Sequence, residues 1–311
     1  MDNDNAKNFG LETGTIIDEK EFKRQNRIPS MMELIWKEIR RDPFAIFSVL
    51  MFITLVVIAF VWGNLIDEAA VSRIAPRQIN LSPAAFGSLG TDESGRPMLQ
   101  MLIISFRNSM QLSFMVTVPI IIIGTFTGLF IGYYGGYIDL VVLRIIDTII
   151  MVPNLMVIAF LSMWLNNWGV REFAMTMVLM GWFGGARGLR ARVLQEAAKD
   201  YVLASKTLGT PNIVIIFKKI FPNVLSFIMV SGILTLASMI GFEAGLTAIG
   251  FGLPFGVPSI GRLISLGMNP IVLANRQWQW VPAVLLIFFM SISILGIGTA
   301  VSRAVNPRQR R

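Results

Sequence analysis

Leu203-Ala204-Ser205-Lys206-Thr207-Leu208-Gly209-Thr210-Pro211, with Phe221-Pro222 closing the segment thirteen positions after the glycine, decides how this chain is read. The segment from Arg187 to Pro222 is polar and basic, and it interrupts an otherwise apolar sequence. Leu194, Ala198, Tyr201, Ser205 and Leu208 recur every three or four residues, with Arg190, Arg192, Lys199 and Lys206 between them. That spacing predicts one basic amphipathic helix from Leu189 to Leu208, lying at a membrane surface. Gly209 is suited to the left-handed position that ends a helix. Thr210 can cap the next one, and Pro211 sits where its missing N–H costs nothing. The expected product is helix, sharp turn, helix.

Working outward, the 311 residues are 54% hydrophobic and 15% charged, with a mean hydropathy of +0.64. Such a composition belongs in a bilayer. The absence of Cys excludes a disulfide framework and a thiol nucleophile, and the absence of His removes the commonest general base and metal ligand. Neither a catalytic nor a metal site is expected. The first apolar run starts at Phe44 behind a charged stretch, so a retained span rather than a cleaved signal peptide is expected there.

Six spans are read: Phe44 to Trp62, Leu112 to Tyr133, Ile145 to Trp164, Phe173 to Ala186, Val224 to Phe242, and Val281 to Val301. The fourth is shorter than the ~20 residues a crossing needs, with Arg171 and Arg187 able to snorkel at its ends. With both termini inside, 20 of the 27 Lys and Arg residues fall on the inner side and 7 outside. This asymmetry predicts a cytoplasmic Gly209 segment. Much of the net charge of +8 is thus topological, and no motif for nucleic acid accompanies it.

Residues 1–29 read as a mobile cytoplasmic tail and residues 30–42 as a helix. Ser30 and Glu33 have capping-box spacing, and Met31, Leu34, Ile35 and Ile39 form an apolar stripe opposite Lys37, Arg40 and Arg41. An interfacial elbow and a helix packed on the rest of the protein both fit. Asp42-Pro43 stops it. Residues 43–311 form the membrane domain, with the cytoplasmic loop 187–222 and outer loops 63–111 and 243–280. Gly132, Gly135 and Gly136 are expected to let the backbone reverse, and Arg144 and Asp147, three apart, to pair with one another. Gly124-Thr125-Phe126-Thr127-Gly128 suits either a pathway lining or close helix contact. Ala244 to Gly261 is uncharged but carries seven Gly and Pro residues. It is rejected as a span, because its backbone would be unpaired against lipid, and is expected to cap the outer mouth of a pathway. Glu243, Arg262 and Arg276 then stand at the outer rim as solvated charges.

The Gly209 segment resembles the coupling loop of ABC importer permeases: Glu-Ala-Ala, three residues, Gly, nine residues, Ile, one residue, Leu-Pro. Anchoring on Gly209 and Pro222 aligns Leu203-Ala204-Ser205 with the Glu-Ala-Ala slot, Lys219 with the Ile slot and Phe221 with the Leu slot, with Leu208 before the glycine. The literal Glu196-Ala197-Ala198 would put Val202 in the Gly slot and Ile215 in the Pro slot. Glu196 is therefore expected to matter much less for coupling than Gly209.

Three further segments resemble the C-type subunits of oligopeptide and dipeptide permeases. Leu89-Gly90-Thr91-Asp92 with Gly95-Arg96, followed by Arg107-Asn108-Ser109, is similar to the signature before the second span. Gly132-Tyr133-Tyr134-Gly135-Gly136 with Asp139, Arg144, Asp147 and Pro153 matches the turn into the third. Gly252-Leu253-Pro254 through Pro258-Ser259-Ile260-Gly261-Arg262 resembles the outer loop of the Gram-positive version. Glu243, Gly252, Pro254, Pro258 and Arg262 become candidate outer-gate residues, and the resemblance adds contact with a peptide terminus as a second reading for Glu243, Arg262 and Arg276. At the C-terminus, Asn306-Pro307-Arg308 stands where the family has Asp-Pro-Arg.

The resemblance implies an all-α integral membrane fold: a six-helix type I ABC importer permease with an N-terminal elbow helix, multi-pass in the cell membrane. It implies a B-type permease partner, two cytoplasmic ATPases carrying ATP and Mg, and an extracellular peptide-binding lipoprotein that delivers an oligopeptide. This chain has no phosphate-binding loop of its own, and no cofactor is expected in it. The alternatives are a secondary transporter or channel, for which no mid-membrane acid or inverted repeat is visible, and a permease for dipeptides or nickel.

Overall fold

A computed structural model describes residues 31–305, and among them the chain is helical, with a single isolated bridge between Thr91 and Pro97. The tail, Ser30 and the Asn306 to Arg311 ending lie outside the described residues. The helices of seven or more residues are α1 Met31–Arg41, α2 Pro43–Leu65, α3 Met98–Tyr134, α4 Gly136–Ile150, α5 Asn154–Trp164, α6 Val170–Ala197, α7 Asp200–Thr207, α8 Asn212–Ala248, α9 Ile260–Leu266 and α10 Val281–Val305.

Asp42 separates α1 from α2 in an extended conformation, and its Oδ1 accepts the Phe44 N–H at 2.9 Å. Pro43 then occupies the first turn, where its missing donor is harmless. The stripe on α1 docks on α10: Ile35 is buried against Val301 and Ala304, with Met31 and Ile39 beside it. Arg303 of α10 pairs with Asp42 at the junction.

Four helices, α2, α3, α8 and α10, are long and apolar enough to cross a bilayer, and a fifth crossing results if α4 and α5 are one span bent by 71°. The bend falls at Met151 to Pro153, because the residue before a proline leaves the helical region. The expected six spans are therefore not all matched by length and composition. The exception is α6, whose uncharged stretch Phe173 to Ala186 covers about 21 Å at 1.5 Å per residue. Arg171, Glu172, Arg187, Arg190 and Arg192 bound it. Several spans run longer than predicted: α3 and α8 each have 37 residues.

The core lies between these long helices. Along the α3–α6 interface, Gly128 faces the Ala186 carbonyl, which a Cβ would meet at 2.8 Å, and Gly132 faces Val193 at 2.8 Å. Glycines every fourth residue let two backbones approach closely, as interhelical packing in lipid favours. Gly124 belongs to the same stripe and meets the Trp182 carbonyl at 3.2 Å, so this segment is a helix contact. Gly132 is thus inside α3; the reversal uses Gly135 and Gly136, both at φ 61°. The predicted Arg144–Asp147 pair does not form. Asp147 meets Arg187 of α6 at 2.8 Å, and Asp139 pairs with Arg190, so both acids of α4 reach across to α6. Opposed charges on neighbouring helices approach more directly than charges one turn apart on the same helix.

Residues 249–259 form turns rather than continuing α8. They fold back on the bundle, with the Gly252 carbonyl accepting Trp168 Nε1 at 2.9 Å and the Pro258 carbonyl accepting Asn108 Nδ2 at 3.0 Å. This loop and the Gly209 turn sit at opposite ends of α8.

Candidate functional site

The amphipathic helix predicted from Leu189 to Leu208 is two helices. Helix α6 ends at Ala197, and Lys199 takes extended backbone, φ −77° and ψ 149°, before α7 begins. The break turns a different stripe inward. Leu189, Val193 and Val202 are buried with Ile215, Ile216, Ile220 and Val224, whereas the predicted Leu194 and Leu208 are exposed at 44% and 84%. The site is thus a short helix clamped to the ends of α6 and α8.

Glu196 is the centre of that clamp. It is 9% exposed and pairs with Lys199 at 2.7 Å. The Tyr201 hydroxyl donates to Glu196 Oε1 at 2.6 Å, and Asn223 Nδ2 donates both to the Tyr201 oxygen at 2.9 Å and to the Lys219 carbonyl at 2.8 Å. Burial, reinforced by the Glu196 carboxyl, pushes the Tyr201 phenol up to about 12. A buried acid with two partners is structurally committed, which the register of the coupling motif does not by itself indicate. The sequence signal was Glu196 and Tyr201 five apart across Lys199, which reads as ordinary surface polarity while the helix is taken as unbroken.

At the other end of α7 the chain closes as anticipated. Gly209 has φ +73°; its N–H donates to the Lys206 carbonyl at 3.0 Å, and Thr210 N–H donates to the Ser205 carbonyl at 3.1 Å. This is the paired pattern of a Schellman cap. The next helix is capped by Pro211 rather than by Thr210, whose side chain makes no capping bond. Lys206 Nζ lies 4.6 Å from the centre of the Tyr133 ring, whose hydroxyl donates to Asn212 at 2.7 Å, tying the turn to the end of α3. Leu203, Ala204, Leu208 and Gly209 are exposed together, and Ser205 is half-buried. Pro222 is exposed and follows a wide π turn, Ile216–Ile220, inside α8. Such a turn accommodates the donor that proline lacks.

At the opposite end the candidate gate residues separate. Glu243 is fully buried, not a solvated rim charge, because it occupies the face of α8 turned toward α3. Arg262 and Arg276 are half-buried, and the Arg262 guanidinium lies over the Phe255 ring at 4.4 Å. Gly252 packs directly on Thr247. Pro254 begins a turn, its carbonyl accepting the Val257 N–H at 3.0 Å, and Pro258 supplies the carbonyl held by Asn108. Sequence reasoning missed the hydroxyl row Ser105, Ser109, Ser113 and Thr117 on α3, all buried. Its spacing of four was visible in the sequence.

Beside the clamp, a cavity of about 440 Å³ opens among α6, α8 and α10, lined by Arg192, Glu196, Lys199, Asn223, Ser226 and Ser302. A second, of about 380 Å³, follows α8 along Ser231, Thr235 and Ser238, with Gly181 of α6 on its wall.

Residues 124–311 match the family described as binding-protein-dependent transport system inner membrane component. The chain is 33% identical over 290 residues to the oligopeptide transport system permease protein OppC of Lactococcus lactis subsp. cremoris (strain SK11), covering 93% of this chain and 98% of the relative. It is 31% identical over 280 residues to the dipeptide transport system permease protein DppC of Bacillus subtilis (strain 168), covering 89% and 85%. It is 29% identical over 287 residues to the oligopeptide transport system permease protein AmiD of Streptococcus pneumoniae (strain ATCC BAA-255 / R6), covering 91% of each. With its long apolar helices and clamped Gly209 turn, the chain belongs to the binding-protein-dependent transport system inner membrane component family, as an ABC transporter permease of the peptide type.

Proposed function

We propose that this chain is one half of a heterodimeric pore in an ATP-driven oligopeptide importer. Its six crossings are α2, α3, the bent pair α4–α5, α6, α8 and α10, with α1 as an interfacial elbow. Both termini and the Gly209 turn face the cytoplasm, a placement supported by the 20-to-7 division of Lys and Arg. The partners are a B-type permease, two cytoplasmic ATPases that bind ATP and Mg, and an extracellular peptide-binding lipoprotein.

The carrying observation is the attachment of α7. It presents Leu203, Ala204 and Leu208 outward, ends at a left-handed Gly209, and is bonded at its base to both α6 and α8. A force applied by an ATPase to that exposed face reaches two spans together, which suits alternation between inward- and outward-facing packings. The uncharged groove along α8, with Ser231, Thr235 and Ser238, supplies a wall for peptides of varied sequence.

Oligopeptide rather than dipeptide cargo follows the relatives named for oligopeptide transport. Deleting the gene is expected to abolish uptake of labelled oligopeptides while sparing free amino acids. Undiminished oligopeptide uptake, in a strain with no second peptide system, overturns the proposal. Loss of dipeptide uptake alone reassigns the cargo.

A further inference from the structure

Glu243 is fully buried in the last turns of α8, and the polar groups around it form a pattern. The Thr247 hydroxyl donates to Glu243 Oε1 at 2.9 Å and accepts the Leu253 N–H at 3.1 Å. On α3, Ser109 Oγ accepts the Ile260 N–H at 3.1 Å, and at the start of α9 Ser259 Oγ accepts the Arg262 N–H at 3.2 Å. Each serine oxygen is used as an acceptor, which leaves its hydrogen to donate. Both hydroxyls lie beside the Glu243 carboxyl, whose Oε2 makes no hydrogen bond of its own among the described residues.

Within loop 249–259 the Leu253 N–H is linked to the carboxyl through the Thr247 hydroxyl, and just past the loop the Ile260 and Arg262 N–H groups are held by the two serine hydroxyls beside the same carboxyl. Close packing supports the arrangement, since Gly252 abuts Thr247 and Gly261 abuts Ala244 with no room for a Cβ. A carboxyl buried in a membrane protein is costly unless its oxygens are satisfied. The Thr247 hydroxyl satisfies one oxygen, the Ser109 and Ser259 hydroxyls stand beside the group, and at 0% exposure no solvated role remains for it in this conformation.

We propose that Glu243 is a positioning residue, the hub of a latch that holds loop 249–259 shut against α3 and α8. The inference rests on the reading above that this loop closes the outer mouth of the pathway. Thr247 is the latch's most testable arm, because valine matches its shape and removes only the hydroxyl.

The experiment uses the whole transporter and exploits the lack of native cysteine. Val257, half-buried in the loop and packed on the core around Leu253, is replaced by Cys. Its labelling by an impermeant maleimide is followed in right-side-out and inverted vesicles. Thr247→Val is expected to raise the labelling rate about fivefold, the change in opening when one ordinary buried hydrogen bond is lost. Peptide-independent ATP hydrolysis is expected to rise with it. Thr247→Ser keeps the hydroxyl and should restore both values. Glu243→Leu, which removes the hub, should exceed Thr247→Val if the protein inserts; Ser109→Ala is its substitute if it does not. An unchanged rate in Thr247→Val, or an equal rise in Thr247→Ser, overturns the latch. Labelling confined to inverted vesicles overturns the outer placement instead, while the ratio of rates still judges the latch.

Discussion

The Tyr201 hydroxyl donates to Glu196 at 2.6 Å and accepts from Asn223 at 2.9 Å, so one phenol joins the end of α6, the first turn of α7 and the first turns of α8. Tyr201→Phe keeps the ring and leaves Glu196 and Asn223 each short of a partner. Losing such a group costs about 1–3 kcal/mol. Peptide-stimulated ATP hydrolysis by the reconstituted complex should fall by roughly five- to tenfold, the rate equivalent of about 1–1.4 kcal/mol of that cost, with membrane insertion unchanged. Glu196→Ala should fall at least as far. Full stimulated activity in both variants would show that the clamp does not transmit force.

The same phenol gives a pH dependence. Its folded value lies above the ordinary 10.0, at about 12, through burial and the neighbouring Glu196 carboxyl. Below pH 10 the folded and unfolded chains both hold the proton, and the contribution of this group is complete. Between about pH 10 and 12 only the folded chain retains it, so folding takes up protons and stability declines as pH rises. Titrating phenolate absorbance in the parent and in Tyr201→Phe, and taking the difference, should isolate a midpoint near 12. A difference curve centred at the ordinary value would remove Tyr201 from the clamp.

The turn was legible and the clamp was not, for physical reasons. Gly209 followed by Pro211 encodes its own geometry, since a left-handed φ and a missing N–H are properties of single residues, and the Schellman cap formed as expected. Apolar runs likewise announced α2, α8 and α10. The break at Lys199 has no local signal: neither Gly nor Pro is present, and the periodicity continues through it. Burial of Val202 between α3, α6 and α8 sets that break, and tertiary packing is invisible to a pattern of three and four. Glu243 failed in the same way. A charge next to a glycine-rich loop suggests solvent, until α3 and the residue before α9 bring Ser109 and Ser259 beside it, joining Thr247 of its own helix.

Topology is tested by single cysteines in the cysteine-free chain. Lys206, exposed on α7, and Ser88, in the segment before α3, lie on opposite sides under the charge asymmetry. Cys at Ser88 should react with an impermeant thiol reagent in intact cells. Cys at Lys206 should react only after the membrane is opened. The reverse pattern inverts every inside and outside assignment.

Gly209 tests the coupling turn itself. Its φ of +73° lies where a Cβ costs about 1–2 kcal/mol, while the space around the missing Cβ is open, with no atom within 4 Å. Strain is therefore separable from steric conflict. Asn tolerates the left-handed region, so Gly209→Asn should keep most coupled ATP hydrolysis and transport. Gly209→Val adds β-branching at the same position. It should twist α7 relative to α8 and reduce both activities together, leaving insertion and basal hydrolysis by the ATPases in place. The pair is measured in proteoliposomes with the binding protein present. If valine and asparagine behave alike and match the parent, the left-handed turn does not set the angle of the lever; if both abolish insertion, the turn serves folding rather than coupling.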